Sequence, residues 1–158
     1  MTETAPATQD RTYEFTTQSG ADTIEVGRTL AGLLNPPQLL LLRGELGAGK
    51  TTLVKGIAEA LAAAETDEVT SPTFTLVHEY DGTRDGKPVK LYHLDVYRLE
   101  GERQLETLGL DELITPDALV LVEWGEKFKS IRKRATGEIV ITSAGGDARK
   151  ITVTLKEF

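Results

Sequence analysis

The chain has no cysteine, one tryptophan, one methionine and two histidines. The missing cysteine excludes disulfides and thiolate metal sites and fits a reducing compartment. The histidines, His78 and His93, have no helical partner at metal-ligand spacing, so each reads as a strand residue rather than a ligand. Long apolar runs are also absent: Leu39 to Leu42 falls far short of the roughly 20 residues a bilayer span requires. Residues 1–10 lack the basic region and apolar core of a secretion signal and read as a disordered tail before a single domain over 11–158. Positive charge is scarce, 18 Lys and Arg against 25 Asp and Glu for a net charge of −7. That argues against strong non-specific nucleic-acid binding by the chain alone. A cytoplasmic location is expected.

What is present is more specific. Gly44-Glu45-Leu46-Gly47-Ala48-Gly49-Lys50-Thr51 matches the Gly-x-x-x-x-Gly-Lys-Ser/Thr loop that cradles nucleotide phosphates. It lies between a short apolar strand, Gln38 to Arg43, and a helical pattern over Thr52 to Ala64, the setting such a loop needs. The glycines permit a tight wrap with inward N–H groups, and a helix beginning near Lys50 aims its positive end at the phosphates. Lys50 would reach the β and γ phosphates, and the Thr51 hydroxyl would ligate Mg²⁺ bridging them.

Arg11 to Thr17 alternates as a strand, and Ser19 is a candidate N-cap for a helix burying Ile24, Gly27, Ala31 and Leu34 up to Pro36-Pro37. The helix after the phosphate loop buries Val54, Ile57, Ala58 and Leu61. Phe74 to Tyr80 and Val89 to Asp95 read as a hairpin joined by Asp81 to Pro88, so the sheet must be mixed. Glu102 to Leu108 predicts a short helix, Ala118 to Glu123 a buried strand, and Gly125 to Arg134 a polar, partly helical stretch. Glu138 to Ser143 and Lys150 to Leu155 flank the turn signal Gly145-Gly146-Asp147. The fold class is an α/β P-loop NTPase: three layers around a mixed, partly antiparallel sheet.

Hydrolysis needs acids at strand ends beside the loop. Asp95 and Glu123 each end a strand; Glu123 follows the more apolar one and is the better Mg²⁺ carboxylate, leaving Asp95 to position the attacking water. Thr70-Ser71-Pro72-Thr73 lies where switch loops lie, and Thr73 is either a γ-phosphate sensor or part of a simple turn. Arg98 could supply transition-state charge, but pairing with Glu100 or Glu102 is favoured. Lys127 to Arg134 is basic, either a solvated helix face or a surface for RNA or an acidic partner. Trp124 is either core packing or a large handle at the site.

Taken together, Gly44 to Thr52, Thr70 to Leu76, Tyr92-His93-Leu94-Asp95-Val96-Tyr97-Arg98-Leu99, Leu108 to Glu112 and Val122-Glu123-Trp124 closely resemble the TsaE family over roughly Ser19 to Trp124. The resemblance implies an ATPase that assembles with the threonylcarbamoyl-transferase proteins TsaB and TsaD. It would support modification of adenosine 37 in tRNAs reading codons that begin with A, without transferring the group itself, and would meet tRNA only through that complex. It also implies a phosphate loop over Gly47, Ala48, Gly49, Lys50, Thr51 and Thr52, Mg²⁺ contacts from Thr51 and Glu123, and Asp95 as a residue needed for hydrolysis. Thr73 would be a switch residue and Trp124 a site-edge residue. Further nucleotide contacts are implied near Ser19 and Gly20 and at Arg149. Two other functions stay open from the residues alone: a small-molecule kinase, which would need a lid bearing arginines, and a nucleotide-gated interaction module with incidental hydrolysis.

Overall fold

The computed structural model describes residues 10–45, 47–65, 68–72 and 76–156. The stretch read as a tail falls almost wholly outside them, as do Thr73, Phe74 and Thr75. In chain order the elements are β1 (Arg11–Thr17), α1 (Gly20–Leu33), β2 (Gln38–Arg43), α2 (Lys50–Ala60), β3 (Val77–Arg84) and β4 (Lys87–Asp95). Then come α3 (Glu102–Glu106), α4 (Leu110–Leu113), β5 (Ala118–Glu123), a 3₁₀ turn (Gly125–Lys127), α5 (Lys129–Arg134), β6 (Gly137–Ser143) and β7 (Arg149–Leu155).

The strands form one mixed sheet in the order β1-β7-β6-β2-β5-β4-β3. β2 runs parallel to both β5 and β6, and β4 runs parallel to β5, whereas the two edges are antiparallel hairpin-like additions. The central strands are apolar along their whole length because they are covered on both faces. Leu40, Leu42, Leu119 and Leu121 pack beneath α1 and α2 with Leu30, Leu53, Val54 and Ile57. Leu39, Leu41, Val120 and Val122 pack on the other face with Leu105, Leu110, Phe128 and Ile131 of the short helices. Three layers result, with the parallel strands presenting their carboxyl ends along one edge.

Local chemistry explains most boundaries. Ser19 caps α1, its hydroxyl accepting the Asp22 N–H at 3.2 Å. In α1, Gly27 and Ala31 are buried as the spacing predicts, Leu30 joins them, and Ile24 is only half-buried. Two expectations need correction. The helix over Thr52 to Ala64 ends at Ala60, because Ala62 turns left-handed (φ 54°) and its neighbour's N–H, at Ala63, returns to the Ala58 carbonyl at 2.8 Å. Continuing the helix would strike β3, whose Thr83 N–H instead caps the Leu61 carbonyl at 2.7 Å. The hairpin link is also far shorter than Asp81 to Pro88: pairing runs to Arg84 with Lys87, leaving Asp85 and Gly86 as a two-residue turn. Both have positive φ (54° and 80°), as the tight turn matching strand twist requires.

Helices α1 and α2 meet backbone to backbone at Gly27 and Gly56. A Cβ on Gly56 would overlap the Ile24 carbonyl and sit 3.0 Å from the Gly27 Cα, with main chain on both sides and nothing flexible to give way. Gly56→Ala is therefore expected to lower unfolding stability by about 2–3 kcal/mol in urea titration. Gly32→Ala, on the same helix pair but with open space around its Cβ, should be neutral or stabilising by up to about 1 kcal/mol. Equal losses in both variants would show that the close helix approach is not the cause.

Candidate nucleotide-binding site

The phosphate loop leaves the carboxyl end of β2 and enters α2, at the sheet edge where β4 and β5 also end. Gly47 (φ 81°) and Gly49 (φ 111°) adopt conformations that a side chain would strain. Gly44 admits no side chain for another reason: a Cβ there would sit 2.9 Å from the Ile141 carbonyl of β6. Gly49 is the N-cap of α2 and offers no side-chain acceptor, so no capping side chain claims the helix's first N–H groups. A helix start of this kind favours an anion through its N–H groups and its dipole.

A chain of polar contacts crosses the floor of the site. The Lys50 ammonium donates to the Gly44 carbonyl at 2.6 Å and pairs with Glu123 Oε1 at 3.1 Å. The other Glu123 oxygen, Oε2, meets His93 Nε2 at 2.6 Å. Glu123 is 4% exposed and His93 fully buried. Burial by itself would push the Glu123 carboxyl up, but the hydrogen bond from His93 and the Lys50 ammonium outweigh it and hold the group below its ordinary value of 4.5. Asp95 stands opposite Glu123 in the parallel register of β4 and β5. It is 5% exposed, and its Oδ1 accepts the Tyr97 N–H at 2.9 Å.

Lys50, Asp95 and Glu123 line a cleft of about 550 Å³ together with Gly47, Gly49, Thr51, Thr52, Ser71, Tyr97 and Trp124. The oxygen donors are hard: the hydroxyls of Thr51, Thr52 and Ser71 and the carboxylates of Asp95 and Glu123. Among the described residues no three His, Asp or Glu side chains gather to enclose a metal. Hard oxygen donors of this kind suit Mg²⁺, which takes few protein ligands and completes its shell with substrate phosphates and water.

The rim is aromatic. Tyr97 and Trp124 are the large hydrophobics most open to solvent among the described residues, at 56% and 39%. Their rings lie 4.9 Å apart, with the Lys50 ammonium 5.9 Å from the indole and Lys127 5.3 Å from the phenol ring. Trp124 thus sits at the edge of the site rather than in the core, held left-handed at φ 66° directly after Glu123. The Lys127 ammonium turns inward to the Tyr97 and Leu99 carbonyls, and Arg132 to the Glu126 carbonyl. Arg134 pairs with Asp111, so the basic run is partly consumed within the fold. The carboxylate of Glu102 binds Ser130 through its N–H and hydroxyl.

A second cleft, about 820 Å³, opens on the far side of the phosphate loop between Arg43, Gly44, Ala48, Glu126, Thr142 and Arg149. Arg149 Nε donates to the Ala48 carbonyl at 2.8 Å and Nη2 to the Gly47 carbonyl at 3.3 Å, while Nη1 binds the Gly146 and Ala148 carbonyls. The closing hairpin therefore grips the phosphate loop. Ser19 is occupied in capping α1, whose Thr23 methyl stands 3.9 Å from where a Gly49 Cβ would be, so this helix start abuts the same loop. Thr73 lies outside the described residues.

Two contributors escape a reading of the sequence alone: His93 and Tyr97. The signal for His93 was its position two residues before Asp95, hence on the same face of the strand. A polar ring buried there must find a partner, and the parallel neighbour ends in Glu123. Tyr97 carried no comparable signal, since its exposure is decided by the turn after β4.

Because Glu123 is held below its ordinary value, the stability it contributes is complete above about pH 4.5 and is lost as pH falls through the lower folded-state value. Between about pH 6 and pH 3 the wild type should lose more unfolding stability than Glu123→Gln, measured by denaturant titration at each pH. Parallel curves would show that the carboxylate is not the depressed group.

The TsaE family profile, described as "Threonylcarbamoyl adenosine biosynthesis protein TsaE", matches residues 17–151. The tRNA threonylcarbamoyladenosine biosynthesis protein TsaE of Bacillus subtilis is 42% identical over 141 residues, spanning 89% of this chain and 84% of that protein. Its namesake from Streptomyces coelicolor is 40% identical over 135 residues, spanning 82% of this chain and 88% of that one. The crystal structure of Bacillus subtilis YdiB superposes with a TM-score of 0.66 at 34% identity, covering 93% of this chain and 87% of that one. A profile match over most of the length, relatives at this identity and a shared α/β architecture lead to one conclusion: the chain belongs to the TsaE family.

Proposed function

We propose that this chain is the Mg²⁺-dependent, ATP-hydrolysing component of tRNA N6-threonylcarbamoyladenosine synthesis at position 37. In this reading it acts on the transferase complex of TsaB and TsaD in the cytoplasm and reaches tRNA only through them. The observation that carries the reading is the Lys50–Glu123 ion pair at the mouth of the phosphate loop. A lysine that a nucleotide would draw to its β and γ phosphates is tied to the carboxylate that would act beside them, so ligand entry and assembly of the hydrolytic groups are one event. Family membership supports the pathway, since relatives bear its name.

In that scheme the N–H groups of Gly47 to Thr52 surround the phosphates and Lys50 exchanges the Gly44 carbonyl and the Glu123 carboxylate for phosphate oxygen. Thr51 and Glu123 would hold Mg²⁺, which when bound neutralises charge on the β and γ phosphates. Asp95, fixed by the Tyr97 N–H, orients a water in line with the γ-phosphorus. Its oxygen bonds to phosphorus as the bridge to the β-phosphate breaks, releasing ADP and inorganic phosphate. No residue is modified, so the output is a change in contact with the partners.

ATP turnover measured for the chain alone and with the transferase proteins should be slow alone and faster with partners. Lys50→Ala and Asp95→Ala should each lower it on the order of 100-fold, with folding checked by circular dichroism. Unchanged turnover in Lys50→Ala would overturn the phosphate-loop assignment. Transfer of phosphate to an added acceptor would favour a kinase. Full support of tRNA modification by a Glu123→Ala chain that no longer hydrolyses ATP would favour a nucleotide-gated module.

Trp124 offers a binding signal independent of turnover, because it is the sole tryptophan and its ring neighbours the Lys50 ammonium. Adding ADP or ATP should change its emission saturably in the wild type, and the change should vanish in Lys50→Ala. Emission that never responds to nucleotide would place the ligand away from this cleft.

A further inference from the structure

We infer that His93 is the positioning residue that holds the Glu123 carboxylate in place when the nucleotide takes Lys50 away. The inference rests on the ATPase reading above and deepens it. Glu123 is shared between two partners, Lys50 on Oε1 and His93 on Oε2. Only one of these can stay. Lys50 belongs to the phosphate loop and its ammonium must turn to the phosphates, whereas His93 lies in the middle of the sheet and cannot follow. Without His93 the carboxylate would be free to swing after the ammonium or out to solvent, and its Oε1 would no longer present to the cleft.

The surroundings of His93 leave it no other task. Its register partners are His78 on β3 and Leu121 on β5, and its ring is fully buried. Glu123 lies two residues beyond Leu121, so the contact is diagonal and draws the carboxylate back along the strand over the sheet. Among the described residues, His93 Nδ1 has no hydrogen-bond partner. The ring's one hydrogen bond among the described residues is therefore the contact of Nε2 with Glu123. A histidine kept only for packing would not spend its one polar contact on a carboxylate at the site, and an apolar side chain would fill the space without leaving a buried nitrogen unmatched. Partners of this kind that fix a metal-ligating carboxylate typically alter metal affinity or activity 10–100-fold when removed.

The test uses the full chain with three substitutions. His93→Leu removes the donor while keeping bulk. His93→Gln restores an N–H at the position of Nε2, and Glu123→Gln removes the charge being positioned. Mn²⁺ is titrated against each variant in the presence of ADP, with free metal followed by electron paramagnetic resonance, and ADP affinity is measured separately through Trp124 emission. Expected for His93→Leu is a Mn²⁺ affinity weakened about 10-fold or more, with ADP affinity in the absence of metal changed less than about 3-fold. His93→Gln should recover most of the loss. Adding His93→Leu to Glu123→Gln should produce no further weakening, because the two act through one contact. Where ATP is turned over, the Mg²⁺ concentration for half-maximal rate should rise in step.

An unchanged Mn²⁺ affinity in a folded His93→Leu chain overturns the inference. So does an equal loss of metal-free ADP affinity, which would mark general damage, or an effect fully additive with Glu123→Gln. Failure of the ATPase reading is distinct: the wild type would then bind ADP and Mn²⁺ with the expected dependence on His93 yet show no turnover with or without partners.

Discussion

The relay from Lys50 through Glu123 to His93 joins the start of α2 to the buried middle of the sheet. Its two outer members could hardly be more different in setting. Lys50 opens a helix at the sheet edge, and His93 is enclosed between strands. Buried ion pairs rarely stabilise a fold more than apolar packing of equal volume would, since desolvation offsets the attraction. The proposed function gives a charge pair kept at this depth a role on ligand entry that stability alone would not.

Several features of the fold place that relay. The parallel register sets Leu42, Glu123 and Asp95 level at one sheet edge, so the loop after β2 opens beside both acids. Apolar layers on each face keep these strand ends from shifting. The backbone contact of Gly27 with Gly56 brings α1 against α2, and with it the capped start of α1 against the phosphate loop. From the other flank, Arg149 ties the closing hairpin to the loop's carbonyls. An antiparallel edge added late in the chain thus supports a loop formed about 100 residues earlier. Around the opening, Tyr97 and Trp124 form an exposed aromatic rim whose position follows from two tight exits, one after β4 and one after β5.

Much of this was legible in the residues, unevenly so. Strands β2 and β5 were readable to the residue because burial on both faces demands an unbroken apolar run bounded by polar ends. The phosphate loop was readable because its glycines answer a backbone requirement. The end of α2 was not, since an alanine-rich continuation has every local reason to stay helical and stops only because Gly82 and Thr83 of β3 lie in its way. The β3–β4 hairpin misled in the opposite sense: polar, glycine-containing residues suggest a loop, yet on an exposed edge strand they pair as well as any others. Of the expected site, Lys50, Thr51, Asp95, Glu123 and Trp124 converge on one cleft. Ser19 and Arg149 are engaged with α1 and the loop itself.

Sequence alone determined the architecture and the family, because a Gly-Lys-Thr loop between an apolar strand and a helix, together with acids closing two further strands, admits few other readings. What only tertiary structure decided is which groups touch. Glu123 meets His93 because two parallel strands, separated in the chain by a turn and two short helices, pair in one particular register. Neither the register nor the burial that compels the contact is written in local spacing. They follow from burying two apolar faces at once, which only the complete sheet can do.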